Sequence, residues 1–209
     1  MKLTKYSEEN QAVTMVTEVI DKLAEDLEKQ ELEAPGGVPG PQVYSLLLAI
    51  YLYQNDLCSA KYLWKRIPAS VKNANPELGR IWKVGQKMWL RDFPGVYDAL
   101  TTGEEWSETV AETMKSVHEA VQKRALQLVG RAYSSISVAD FSSFVGLTPE
   151  EVVARATPPT GVDNDGGWSM DPNVPGMVLP RKPAPGPIIE CSSEDQLYKL
   201  TEFVSFLEN

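Results

Sequence analysis

Apolar residues recur at helical spacing through the first hundred positions of the chain. Between residues 8 and 32 an apolar side chain returns every third or fourth position, which predicts an amphipathic helix. The segment APGGVPGP (34–41) is rich in helix breakers and ends it. From Leu46 to Tyr53 every residue is apolar or aromatic. A helix with no polar stripe is packed on several sides.

The stretch SAKYLWKRIP (59–68) separates into two faces. Its apolar residues fall at i, i+3, i+4 and i+7 and predict one buried face: Ala60, Leu63, Trp64 and Ile67. Its bases lie on the outer side: Lys61, Lys65 and Arg66. We expect Trp64 to act as a wedge between helical hairpins. The three bases are either solvated or in contact with an acidic neighbour.

A second unit of similar form follows the first. Asn75 and Pro76 read as an N-cap followed by proline at the first helical position. An apolar stripe then continues to Trp89, and a shorter helix is predicted over 93–100. Helix, tight turn and helix therefore recur. This predicts a short TPR-like helical-hairpin repeat over residues 1–105.

The pattern changes in the second half of the chain. A long helical stretch is predicted from Trp106 toward Leu128. Three short helices are predicted next, in RALQLVGRAYSSI (124–136), VADFSSFVGL (138–147) and EVVARA (151–156). Thr148 to Glu151 form a capping box that marks the start of the last one. Two extended runs, 167–171 and 176–180, then predict a small β-hairpin. Three short helices and a hairpin indicate a winged helix over 106–182.

The C-terminal segment predicts a linker and one further helix. Residues 183–191 are rich in proline, which predicts an extended linker. In the helix over 192–209 the apolar residues follow the three-four spacing of a helix-bundle seam: Leu197, Leu200, Phe203, Val204 and Leu207. From periodicity alone, this helix either docks on its own winged helix or reaches a partner.

Charge and composition narrow the class of function. The 209 residues carry a net charge of −9, whereas a general nucleic-acid binder needs a positive surface. The predicted recognition helix, TPEEVVARA, offers two carboxylates and only Arg155 as a cation. Arg181 and Lys182 form a small basic spot on the linker side. We expect no nucleic-acid partner and no membrane partner, since no apolar run approaches the ~20 residues that span a bilayer.

Catalytic and metal-binding motifs are missing from the sequence. A single histidine, His118, rules out a zinc site built from two or three histidines within this chain. Its position at the edge of an amphipathic stripe predicts an ordinary helix-surface residue. The pairs Glu104-Glu105 and Glu150-Glu151 are expected at helix starts, where the dipole favours negative charge. Asp163 and Asp165 lack the frame of a calcium loop. We predict no catalytic residue, no metal and no cofactor.

The order of a helical repeat, a winged helix and a terminal helix resembles the PCI-domain proteins. These are scaffold subunits of the proteasome lid, the COP9 signalosome and a translation initiation factor. Within that family, several blocks are similar to the smallest PCI subunits of the signalosome: ELEAPGG (31–37), SAKYLWKRIP (59–68), VGQKMWLRDFPGVY (84–97), FVGLTPEE (144–151), MVLPRKP (177–183) and the FLEN ending.

The resemblance implies a non-catalytic scaffold. The signalosome removes a ubiquitin-like modifier from the cullins of ubiquitin ligases, with a zinc metalloprotease in another subunit. Its winged helices join edge to edge into an arc, in which subunit 3 is the expected neighbour. Its C-terminal helices gather in a bundle with other subunits. No small-molecule substrate is implied, and the expected location is cytoplasm and nucleus.

The resemblance also suggests which residues contact partners. The arc contact is expected on the hairpin and its flanks: Trp168, Met170, Met177, Val178 and Leu179. The bundle contact is expected on the apolar stripe of the final helix, Leu197 to Leu207. Two alternatives stay open at this point. One is a PCI subunit of another complex, such as the proteasome lid, and the other is a winged-helix DNA-binding regulator.

Overall fold

The computed structural model describes residues 19–103, 105–156, 168–182 and 193–208. Its helices are α1 (19–33), α2 (Pro41–Gln54), α3 (Leu57–Arg66), α4 (Ala69–Ala74), α5 (Pro76–Trp89), α6 (Phe93–Thr101), α7 (Glu108–Ala132), α8 (Val138–Val145), α9 (Pro149–Ala156) and α10 (Ser193–Glu208). Its strands are β1 (Ile136–Ser137), β2 (Trp168–Met170) and β3 (Met177–Pro180). The mainly helical class is confirmed. None of the described helices is long and apolar enough to cross a membrane, and the predicted linker over 183–191 lies outside the described residues.

Helix α2 is the centre of the larger of two cores. It packs against α3, α5 and α7, and the six residues from Leu47 to Leu52 are buried. This confirms the prediction from the apolar run. A helix surrounded by three others has no solvent face, so its sequence needs no polar stripe.

The two aromatic-rich segments meet where helix α3 lies against α5. Ala60, Leu63 and Ile67 are buried as predicted. Trp64 is half-buried, and its indole stacks on that of Trp82, with ring centroids 5.6 Å apart and planes 11° from parallel. Trp64 thus lies between α3 of the first hairpin and α5 of the second, and its role as a wedge between the hairpins stays a prediction.

The segment between α3 and α5 contains a helix that the sequence pattern did not predict. Helix α4 begins directly after Pro68, where only the end of α3 was expected. Asn75 does not cap α5 with its side chain, because its Nδ2 donates back to the carbonyl oxygen of Val71 at 3.0 Å. It closes α4 instead, and Pro76 takes the first position of α5 as predicted.

Helix α7 is one continuous helix where two had been predicted. Its 25 residues span roughly 38 Å, and its sequence holds no breaker between 108 and 129 that would divide it. Val110 and Met114 belong to the larger core, whereas Val129 belongs to a second, smaller one. The helix thus contributes side chains to both cores and connects them.

The smaller core is closed by a three-stranded antiparallel sheet in the order β1-β3-β2. The predicted hairpin is its β2–β3 part, and the two-residue strand β1 was not predicted. Ile136 pairs with Val178, which also pairs with Met170 on the other side. Helices α8 and α9 cover the sheet with residues such as Phe141 and Val152.

The two cores are locked together at the end of α8. The hydroxyl of Tyr97 on α6 donates to the carbonyl oxygen of Phe144 at 3.0 Å, and Nε2 of Gln122 on α7 donates to that of Val145 at 3.1 Å. The next residue, Gly146, has a left-handed φ of 69°, and a Cβ there would lie 2.7 Å from the Tyr97 ring. Only glycine meets both requirements without strain.

Candidate interaction surfaces

His118 is the histidine that a Ser-His-Asp triad in this chain would require. It is half-buried and packs edge-on against the ring of Tyr97, with centroids 5.5 Å apart. This intermediate exposure fits a position at the edge of the apolar stripe of α7, where α6 covers one side of the ring. Among the described residues no group of three or more histidine, cysteine or acidic side chains is placed to hold a metal ion.

The acidic start of α9 is built as the sequence predicted. The backbone N–H of Thr148 donates to Oε2 of Glu151 at 2.9 Å, and the N–H of Glu151 donates to Oγ1 of Thr148 at 3.3 Å. These bonds hold the pKa of Glu151 below its usual range. Glu150 adds a second carboxylate to this turn, and Arg155 lies in the last one. The helix that would read DNA therefore opens on negative charge, which repels phosphates.

The other acidic pair, Glu104-Glu105, was predicted to lie at a helix start. For Glu105, the member that the structure describes, this prediction was wrong. Glu105 lies in an irregular segment, and α7 begins only at Glu108. The side chain of Glu77 takes part in that start instead, by accepting from the backbone N–H of Ser107 at 2.7 Å. Glu104, Asp163 and Asp165 lie outside the described residues.

The hairpin divides the predicted arc residues into two groups. Trp168 and Val178 are 4% and 0% exposed; the Trp168 indole packs on the Phe141 ring and donates to the Val152 carbonyl oxygen at 3.1 Å. Trp168 and Val178 belong to the smaller core, so the expected direct partner contact is corrected for these two residues: they can support it only from inside. Met170 shares the face of Trp168 on β2 and packs, half-buried, against the same core. Met177 and Leu179 lie on the other face of β3 from Val178 and are half-buried. Contact of these three residues with a partner stays a prediction.

Helix α10 presents its apolar residues to solvent. The five predicted bundle residues are between 50% and 70% exposed: Leu197, Leu200, Phe203, Val204 and Leu207. Tyr198 and Phe206, which lie outside the predicted stripe, are 71% and 77% exposed. Uncovered apolar surface of this density is typical of a protein–protein contact.

The basic face of α3 is largely occupied within the chain. The Arg66 guanidinium pairs with both carboxylate oxygens of Glu31 on α1, at 2.7 and 2.6 Å, and this pairing raises the pKa of Arg66. The Lys61 ammonium lies 4.5 Å from the ring centre of Trp89, a cation–π distance. The Lys65 ammonium lies 5.9 Å from the ring centre of Tyr62. Of the two alternatives for these bases, contact with an acidic neighbour holds for Arg66.

A helical repeat that leads through one shared helix into a small helix–sheet unit, followed by an uncovered terminal helix, is a helical PCI-type architecture. The chain belongs to the CSN8/PSMD8/EIF3K family, whose profile matches residues 40–183. The predicted resemblance is thereby confirmed.

Individual relatives sharpen the similarity. The chain is 48% identical over 205 residues to COP9 signalosome complex subunit 8 of Xenopus laevis, covering 98% of this chain and all of the relative. The subunit 8 of Danio rerio is 49% identical over 195 residues, 93% of this chain and 97% of the relative. That of Arabidopsis thaliana is 34% identical over 166 residues, 79% of each.

Proposed function

We propose that this chain is a non-catalytic scaffold subunit of the COP9 signalosome. The observation that carries the proposal is the exposed apolar surface of α10, in a chain similar over 98% of its length to a protein named as a signalosome subunit. A surface of this kind is stable in water only when a partner covers it. The partner is a bundle of helices from other subunits.

The helix–sheet unit supports a second contact, through an arc of winged helices. The chain runs α7, β1, α8, α9, β2, β3, and the strand order is β1-β3-β2, as expected of a winged helix. Strand β2 lies at an edge of the sheet, and an edge strand offers unpaired backbone groups to a neighbouring chain. In this proposal subunit 3 is that neighbour.

The chemistry is done elsewhere in the proposed complex. Removal of a ubiquitin-like modifier from cullins belongs to the metalloprotease of another subunit, and this chain contributes assembly. It binds no cofactor and no small-molecule substrate, and it is found in cytoplasm and nucleus.

Affinity purification tests this proposal. The tagged full-length chain, expressed in cells, is expected to recover the remaining signalosome subunits in near-equal amounts, measured by quantitative mass spectrometry. The purified complex should cleave a modifier–cullin conjugate, whereas the isolated chain should not. Recovery of proteasome-lid subunits instead, or cleavage by the isolated chain, would overturn it.

A further inference from the structure

A pocket of about 560 Å³ lies where the helical repeat meets α7. It is formed by the turn between α2 and α3, the end of α5, the start of α6 and the middle of α7. Its lining comes from four helices and the two turns beside them, with Leu57 from α3, Met88 and Trp89 from α5, Phe93 from α6, and Val121 and Arg124 from α7 among the contributors. No motif in the sequence pointed to this place.

The lining combines apolar walls with positive charge. Two arginines, Arg91 and Arg124, contribute the charge, and none of the lining residues is acidic. The chain as a whole carries 29 acidic and 20 basic residues. The charge of the pocket lining is therefore opposite in sign to the net charge of the chain. Trp89 and Leu128 leave about half of their side chains exposed, at 49% and 50%. A ligand with both apolar and anionic parts matches such a lining.

Arg124 has an unused hydrogen-bonding group. Its Nη1 donates to the carbonyl oxygen of Tyr53 at 3.0 Å. Its Nη2 is buried and finds no acceptor among the described residues. A guanidinium stays protonated in proteins, even though burial lowers the pKa of Arg124. A covered donor without an acceptor is destabilising, and an incoming carboxylate would remove that cost.

We propose that this pocket binds a peptide segment of a partner protein in which a Glu or Asp carboxylate stands close to one large apolar side chain. The carboxylate pairs with Arg124, and Arg91, which lines the same pocket, adds positive charge. The apolar side chain fills the space between Met88, Phe93 and Val121. Because Nη2 is covered in the unbound chain, the guanidinium rotates on binding and keeps its aliphatic stem in place. The carboxylate then accepts from both Nη atoms and replaces the Nη1 bond to the Tyr53 carbonyl oxygen.

This inference goes beyond the proposed function. It concerns a pocket remote in sequence from α10 and the hairpin, and it does not require that the peptide belong to a signalosome subunit. A chain that assembles normally but binds no such peptide would contradict the inference alone.

Fluorescence anisotropy with the full-length chain measures the binding. The probes are fluorescein-labelled ten-residue peptides with one Glu placed one to four positions from one Leu, Phe or Trp, and the same peptides with Gln in place of Glu. We expect some Glu peptides to bind and their Gln counterparts to bind about tenfold more weakly, because the charge-assisted bonds are lost. Failure of every Glu peptide to bind would overturn the proposal.

Matched variants assign the binding to the pocket. Arg124→Met keeps the stem and removes the donors, and Arg131→Met makes the same change on the exposed surface of α7. Only Arg124→Met should lower the affinity for Glu peptides, by about tenfold, while leaving the weak affinity for Gln peptides unchanged. Leu128→Asp should lower the affinity for Glu peptides, because the new carboxylate repels theirs. Leu32→Asp on α1 should leave that affinity unchanged.

Other results would contradict the proposal. If Arg124→Met lowered the thermal midpoint and weakened Glu and Gln peptides equally, Arg124 would be a structural residue only. If sedimentation showed a concentration-dependent dimer that Arg124→Met dissolved, the occupant would be a second copy of this chain. If deleting residues 183–192 were required before any peptide bound, the occupant would be the chain's own segment.

Discussion

Helices α2 and α10 are both rich in large apolar residues, yet they have opposite surroundings. In α2 the residues from Leu47 to Leu52 are buried by three neighbouring helices. In α10 the apolar residues from Leu197 to Leu207 stay at least half exposed. Periodicity reports that a helix needs a cover, but not whether its own chain provides it. In this molecule the N-terminal helices are covered by their own chain, whereas α10 is left open.

Core truncation gives the largest expected contrast between the two helices. Leu48→Ala in α2 removes a side chain that is 0% exposed, so the free energy of unfolding should fall by about 2–5 kcal/mol. Leu200→Ala in α10 should change it by less than about 0.5 kcal/mol. Denaturant unfolding of the isolated chain measures both. Equal losses would mean that α10 packs on its own chain.

The contact between the two cores can be tested at Gly146. An alanine at this position would have to adopt a left-handed backbone conformation, and its Cβ would clash with the Tyr97 ring. Gly146→Ala should therefore lower the free energy of unfolding by about 2–3 kcal/mol. Gly36 has a similar φ of 72° but open space around it, and Gly36→Ala should cost only about 1 kcal/mol. Thermal unfolding compares the two variants. If their effects were equal, the steric part of the argument would be wrong.

The stacked indoles should show a smaller, specific coupling. Trp64→Leu and Trp82→Leu, made singly and together, form a double-mutant cycle. We expect a coupling energy of about 0.5–1.5 kcal/mol from the stacked geometry. Tyr62, on the same helix but 62% exposed, serves as the control partner for Trp82. No coupling above the control would remove the wedge role of Trp64.

The ion pair between α1 and α3 should have the smallest effect. Arg66→Gln should lower the free energy of unfolding by about 0.5–1 kcal/mol, since the pair is bidentate but the Arg66 side chain is 49% exposed. The effect should shrink in high salt. The exposed pair Lys29–Glu33, at 3.9 Å, is the matched control. Lys29→Gln should leave stability unchanged, and an equal loss in both would contradict a specific bridge.

Much of the helical half could be predicted because its signals are long. The apolar run of α2 and the two faces of SAKYLWKRIP each extend over several turns, and both interpretations were confirmed. Helix α4, with six residues, and strand β1, with two, are too short to show a period. They form because neighbouring elements hold them, which is a tertiary effect.

The errors at the candidate sites have similar physical causes. Strand β3 is apolar on both faces, so its pattern did not show that Val178 points into the core. In β2, Trp168 and Met170 alternate with Ser169, and this pattern did not show whether their shared face lies on the core or on a partner. On α10 the three-four spacing marks one stripe, and Tyr198 and Phe206 lie outside it although they are exposed. Arg124 carries no signal in the sequence, because its partial burial is produced by helices distant in sequence.

The central claim is that the open face of α10 is held for partner subunits. Leu200→Asp combined with Phe203→Asp places two charges on that face, and Thr201→Asp combined with Ser205→Asp places two at exposed polar positions of the same helix. Each tagged chain is co-expressed with the other signalosome subunits and purified. We expect the first pair to reduce recovery of those subunits at least tenfold and the second to leave it within about twofold. Unchanged recovery with the first pair would contradict the account.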